Sequence, residues 1–128
     1  MPDPGPAFTA RLASLEIPAD DTAALARFYA DAFGWSAGPV ARSGDWRRLS
    51  AASAGAGAGA EAAIASREAL GVEQPVAVIE IAGTPLAAVL DRVVAAGGTV
   101  ERPPRPVGRS AFALFRDPAG NLFGLWQL

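Results

Sequence analysis

Hydrophobic and polar positions along this chain fall into two similar blocks. Residues 8–17 alternate in the manner of a half-buried strand, and Pro18, which cannot donate to a ladder, is expected to end it. Asp20 or Asp21 then caps a helix. Its apolar residues Leu25, Phe28, Tyr29, Ala32 and Phe33 keep the i, i+3, i+4, i+7, i+8 spacing of one buried stripe, and Gly34 closes it. Strands are expected over 35–40 and 45–51, joined by a Gly-containing turn. The Ala/Gly/Ser stretch 51–60 predicts a mobile hairpin connection to a returning strand over 61–66, and 67–75 reads as a linker.

The β-branched run 76–81 opens the second block. Thr84 is expected to cap a helix with Pro85 at its first position, where a missing N–H costs nothing. Leu86, Val89, Leu90, Val93 and Val94 repeat the stripe up to Gly97 and Gly98. A strand starting over 99–101 and an extended rim through Pro103, Pro104 and Pro106 follow, then strands over 110–116 and 121–127. Between the last two, Asp117, Pro118, Ala119 and Gly120 suit the four positions of a type I turn. Each block therefore reads strand, helix, strand, strand, strand. Glu16 and Glu80, embedded in the opening strands, lie 64 positions apart, and Gly34 and Gly97 lie 63 apart, about half of the 128 residues, which points to internal duplication. The helical stripes are offset by 61, so the two helices are not equivalent residue for residue.

Composition narrows the chemistry. A chain of 128 residues with 51% hydrophobic content is long enough for one well-buried core and short for two, so one domain is expected. The net charge of −2, with no block of like charge, gives no electrostatic reason to expect nucleic acid or an anionic membrane surface as a partner. Every basic residue is arginine, which removes lysine Schiff-base chemistry and lysine-dependent phosphate loops. Cysteine and histidine are both absent, so disulfides, thiolate nucleophiles, Cys-ligated metals and imidazole bases drop out. No run approaches the roughly 20 apolar residues that span a bilayer, and residues 1–6 lack the basic-then-apolar order of a leader, so a soluble cytoplasmic protein is expected.

The stretches IPADD (17–21), FYADAFGW (28–35), Gly97-Gly98 and FRDPAGNLFGLW (115–126) resemble the vicinal oxygen chelate superfamily, the group of glyoxalases, bleomycin-resistance proteins and extradiol dioxygenases. The resemblance spans nearly the whole chain. It implies an α+β fold in which two βαβββ modules form a paired, curled mixed sheet around a central cleft, usually as a homodimer. The first module would cover about 8–66, the linker 67–75 and the second module 76–128, within a single domain over 1–128. Metal enzymes of the superfamily hold a divalent ion with His and Glu side chains from strands of both modules. By that spacing the ligand positions fall at Ser14, Val78, Gly124 and near 62–64, where Glu61 supplies the nearby oxygen. A first-row metal site needs about three or four N, O or S donors, so neither a metal nor another cofactor is expected.

Strand alternation puts Glu16 and Glu80 on the face of Ser14 and Val78, which the resemblance makes the cleft face. These carboxylates are either proton-transfer groups with raised pKa values or strand-end residues that meet solvent or pair with arginine. Arg47 and Arg48 have opposite parity, and Arg48 is taken as the cleft residue. Trp46, Trp126 and Phe112 either line a ligand or belong to the core. Gly124 either leaves room where a metal ligand would stand or marks a close backbone approach. The expected ligand-binding set is thus Ser14, Glu16, Trp46, Arg48, Val78, Glu80, Phe112, Gly124 and Trp126, with Glu16 and Glu80 as catalytic candidates. The function that follows is metal-free binding of a small molecule, one version of which sequesters a toxic or antibiotic-like compound. Two alternatives stay open: a glyoxalase-like or isomerase-like enzyme using a cleft glutamate as base, and a structural or protein-interaction module with a vestigial cleft.

Overall fold

The computed structural model describes residues 5–40 and 46–128, so the turn expected between the second and third strands lies outside the described residues. The chain divides into two compact units, Ser14–Val76 and Met1–Ala13 with Ala77–Leu128. The division falls inside the first strand, β1 (Thr9–Ala19).

The unit Ser14–Val76 continues through α1 (Thr22–Phe33), β2 (Ser36–Ala37), β3 (Trp46–Ala51), β4 (Ala60–Ser66) and α2 (Arg67–Leu70), with strand order β2-β3-β4-β1. β4 runs parallel to β1, with Ile17 opposite Ile64, and the other neighbours are antiparallel. Asp21 caps α1, its carboxylate accepting from the Ala24 N–H at 3.0 Å, and Gly34 ends the helix in the left-handed region at φ 73°. The expected buried stripe is corrected. Ala26 is the buried residue of α1, flanked by Leu25 and Tyr29 against Ile17, Leu49 and Ile64, while Phe28 and Phe33 are each 55% exposed. Phe28 lies two residues from Ala26, about 200° around the helix, and therefore faces away from the sheet.

Three further expectations are revised in this unit. β1 runs past Pro18, which stays in the ladder opposite Ala65. The strand expected over 35–40 shortens to β2. The linker begins with the one-turn helix α2, capped by the Ser66 hydroxyl, closed by Gly71 and anchored by buried Leu70.

The other unit carries β5 (Val76–Ala82), α3 (Leu86–Ala95), β6 (Thr99–Val107), β7 (Ser110–Arg116) and β8 (Leu122–Gln127), in the order β5-β8-β7-β6. The connectivity repeats that of the first unit, because the last strand again pairs parallel with the opening one. Leu86, Val89 and Leu90 of α3 pack on Ile81, Ala113 and Leu125, all 5% exposed or less, and full burial of each large side chain contributes about 1.5–3 kcal/mol. Pro85 is the N-cap itself rather than the first helical residue, and no side chain caps this helix. A residue before proline is held extended, and Thr84 instead presents its carbonyl to the Gln127 amide at 2.7 Å. β6 is one continuous strand through its three prolines, at the outer position of the sheet where missing donors are tolerated. The β7–β8 turn closes with the Gly120 N–H on the Asp117 carbonyl at 2.9 Å, and the Asp117 carboxylate accepts from Ala119, from the Asn121 backbone and from the Asn121 amide.

Candidate functional site

In each unit one sheet face is covered by its helix and the other carries most of the candidate residues. In Ser14–Val76, Glu16 sits opposite Ala63, which sits opposite Arg48, so these three form a row on the face away from α1. Trp46, opposite Ala65, shares that face. Arg47, opposite Ile64, takes the helix side. The Trp46 and Ser14 side chains hydrogen-bond to the Glu16 carboxylate, yet its Oε2 is buried with no partner among the described residues. Desolvation outweighs those hydrogen bonds and pushes the Glu16 carboxyl up from its ordinary value of 4.5. Arg48 lies 3.8 Å from Glu61, and both side chains are well exposed, so this pair holds little energy.

In the other unit two rows cross the matching face. One runs Val78, Gly124, Leu114, Arg102, and the next runs Glu80, Trp126, Phe112, Arg105. The Phe112 and Trp126 rings lie 6.5 Å apart between centroids. Val78, Phe112 and Leu114 are buried, whereas Trp126 and Glu80 are half-buried. The space beside Gly124 is taken. A Cβ there would come within 2.9 Å of the Phe112 ring and 3.2 Å of Val78. Glu80 differs sharply from Glu16, because its Oε2 is held by Arg11 at 3.1 Å.

Arg102 and Arg105 are the polar residues of this face that strand parity conceals. Three positions apart, they would point to opposite sides of a regular strand. Their partners Leu114 and Phe112 are only two apart, so an extra residue is accommodated between them and both arginines come to one face. The Pro103-Pro104 pair between them is the sequence signal that marks this irregularity.

A separate open groove of about 400 Å³ lies at the start of α1, lined by Pro18, Asp20, Leu25, Phe28 and Arg67 among others. None of the candidate site residues lines it. Its polar groups are already paired, since Arg67 bonds Asp20 at 3.1 Å and Glu73 at 2.9 Å.

The positions that the fold's metal enzymes would use do not suit a metal here. Ser14 is engaged with Glu16, Val78 is apolar, Gly124 faces the Phe112 ring, and Glu61 lies beside Arg48. Among the described residues no three or more His, Cys, Asp or Glu side chains gather as a metal shell would require.

Paired βαβββ units of this topology define the mixed α+β glyoxalase/bleomycin resistance fold. Residues 14–126 match the family model described as a glyoxalase-like domain, and the chain belongs to that family, within the vicinal oxygen chelate superfamily. A glyoxalase/bleomycin resistance protein/dioxygenase superfamily member from Vibrio splendidus 12B01 is similar in structure, with TM-score 0.54 and 15% identity over 94% of this chain and 100% of that one. Methylmalonyl-CoA epimerase from Streptomyces coelicolor, in complex with 2-nitronate-propionyl-CoA, gives TM-score 0.53 and 17% identity over 91% of this chain and 96% of its own. An NAD-dependent benzaldehyde dehydrogenase structure from Legionella pneumophila gives TM-score 0.67 at 10% identity, covering 90% and 97%. At these identities the likeness is one of fold. No curated protein matches the sequence.

Proposed function

We propose that this protein binds a small organic molecule, without a resident metal, on the helix-free strand faces. Glu16 carries the proposal. A carboxylate oxygen that is buried and has no partner among the described residues is a group left for a ligand donor or a proton. Trp46 beside it, and Trp126 in the second unit, supply flat apolar surface of the kind that ligand sites use. The epimerase neighbour, held with a CoA derivative, supports small organic ligands as cargo for this fold. Sequestration of a toxic compound is the version in which the ligand leaves unchanged. The same proposal takes the two modules as one domain of a cytoplasmic homodimer without a nucleic acid partner, which the net charge of −2 favours. No helix among the described residues is long and apolar enough to cross a membrane.

Native mass spectrometry with metal analysis after mild purification tests this directly. The expected result is an organic adduct, weakened about tenfold by Glu16→Gln through loss of a charge-assisted contact. A stoichiometric transition ion held by protein oxygens would overturn it.

One observation favours a second reading, proton transfer by Glu16. Its raised pKa and unpartnered oxygen suit a general base or acid, whereas Glu80 is committed to Arg11. In any turnover assay Glu16→Gln should then abolish activity and Glu80→Gln should leave most of it.

A further inference from the structure

The β6 irregularity does more than admit prolines. We infer that Arg105, turned by it to the face of Phe112 and Trp126, forms the acid-recognising end of a site for a small aromatic carboxylic acid whose ring lies along Trp126. The inference deepens the proposed function and rests on it.

Arg105 is half-buried, its Nε is enclosed without a hydrogen-bond partner, and it makes no ion pair among the described residues. That N–H has given up water without gaining an acceptor. The pKa of Arg105 is lowered by desolvation and by the nearby charge of Arg102. The nearest acidic residue along β6, Glu101, does not supply that acceptor. Both of its carboxylate oxygens are engaged by Arg116, each at 3.2 Å.

The row in which Arg105 stands specifies the rest of the ligand. Arg105, Phe112, Trp126 and Glu80 follow one another across the sheet. Phe112 is buried and forms the floor, while Trp126 is half-buried and offers a ring surface. The negative charge at the far end, Glu80, is offset by Arg11 at 3.1 Å, so it does not repel an acid. An arginine fork matches a planar carboxylate with two parallel N–H donors, and an aromatic body gains stacking area from the tryptophan. The chain has no lysine, so arginine is its sole means of providing such a cation.

Titration of ¹⁵N-labelled protein with benzoate, benzamide and inorganic phosphate tests the assignment by NMR. Benzoate should move the Arg105 Nε–H and Trp126 indole signals, and neutral benzamide should bind about tenfold more weakly, the scale of one charge-assisted fork. Arg105→Met should weaken benzoate by about the same tenfold, while Arg109→Gln, in the exposed β6–β7 turn, should not. Should Arg105→Met fail to fold, the benzoate–benzamide comparison in the unaltered protein decides alone. Equal binding of benzoate and benzamide at Trp126 would overturn the acid assignment and leave small-molecule binding standing. Phosphate displacing benzoate at equal concentration would overturn the aromatic part. Silence of Arg105 towards benzoate overturns the inference, and the organic adduct sought by native mass spectrometry then judges the proposed function independently.

Discussion

The two units share one connectivity and one embedded glutamate, but they have furnished the same sheet face in opposite ways. In Ser14–Val76 the row beside Glu16 is Ala63 and Arg48, small and then charged. In the other unit the row beside Glu80 is Trp126 and Phe112, two large aromatics. The consequence appears at the glutamates. Glu16, beside small residues, is enclosed with one oxygen unpartnered and a raised pKa, whereas Glu80 reaches Arg11 and forms an ion pair. Identical residues at matching register positions thus have different chemistry because the side chains around them set the solvation.

The largest test of this comparison is at the cores, where the units should behave alike. Leu49 in one and Leu125 in the other are each 1% exposed, and Leu→Ala at either should cost about 2–5 kcal/mol in urea unfolding. A loss near zero at one position would show that its unit contributes little to the cooperative fold. The helix-free faces should then diverge. Gly124 and Glu61 stand at matching places, two residues before Trp126 and Ala63. Gly124→Ala forces a Cβ to 2.9 Å from the Phe112 ring and should cost about 1–3 kcal/mol. Glu61→Ala loses only an exposed pair with Arg48 and should stay within about 0.5 kcal/mol. Equal effects would erase the distinction between a face filled by large side chains and one lined by small ones.

The smallest effects concern the glutamates and should differ in sign. A carboxyl whose folded pKa is raised holds its proton more tightly in the folded state. Its contribution is therefore present in full below the ordinary value of 4.5 and is lost as pH rises through the raised value. Glu16→Gln should accordingly flatten that fall and raise the melting temperature at neutral pH relative to the unaltered chain. Glu80→Gln should instead cost up to about 1 kcal/mol at neutral pH, since it removes a partly exposed ion pair with Arg11. Asp117 supplies the contrary pH sign. The Asn121 side chain and the turn amides lower its carboxyl pKa, so its contribution is lost as pH falls through the lowered value. Melting curves from pH 3 to pH 8 separate these cases, and matching profiles for the two glutamine variants would contradict the assignment of Glu16 as the desolvated one.

Local signals were the most legible part of this protein. Asp21 and Gly34 bracket α1, and Asp117 to Gly120 makes its turn, because caps and turns depend on a few adjacent residues. The α1 stripe departs from its periodic expectation for a related reason. Periodicity shows that a helix has an apolar side, but the small residue Ala26, rather than Phe28, was the one that fitted against the sheet. At the candidate site, parity placed Glu16 and Glu80 on strands and faces, while their differing partners came from Trp46 and Arg11, far away in sequence. Strict alternation does not bring Arg102 and Arg105 together, because that rule fails wherever a strand takes in an extra residue.

The order of residues by itself determined two strand–helix–strand–strand–strand modules, a donor set lacking histidine and cysteine, and arginine as its sole side-chain cation at neutral pH. Those properties reside in composition and in short-range periodicity, which need no knowledge of distant contacts. Only the tertiary structure decided that Phe112 occupies the room beside Gly124, that Glu16 is desolvated while Glu80 is paired, and that two arginines meet on one face. Each of these turns on cross-strand register, and a displacement of one residue in register reverses which side a residue occupies.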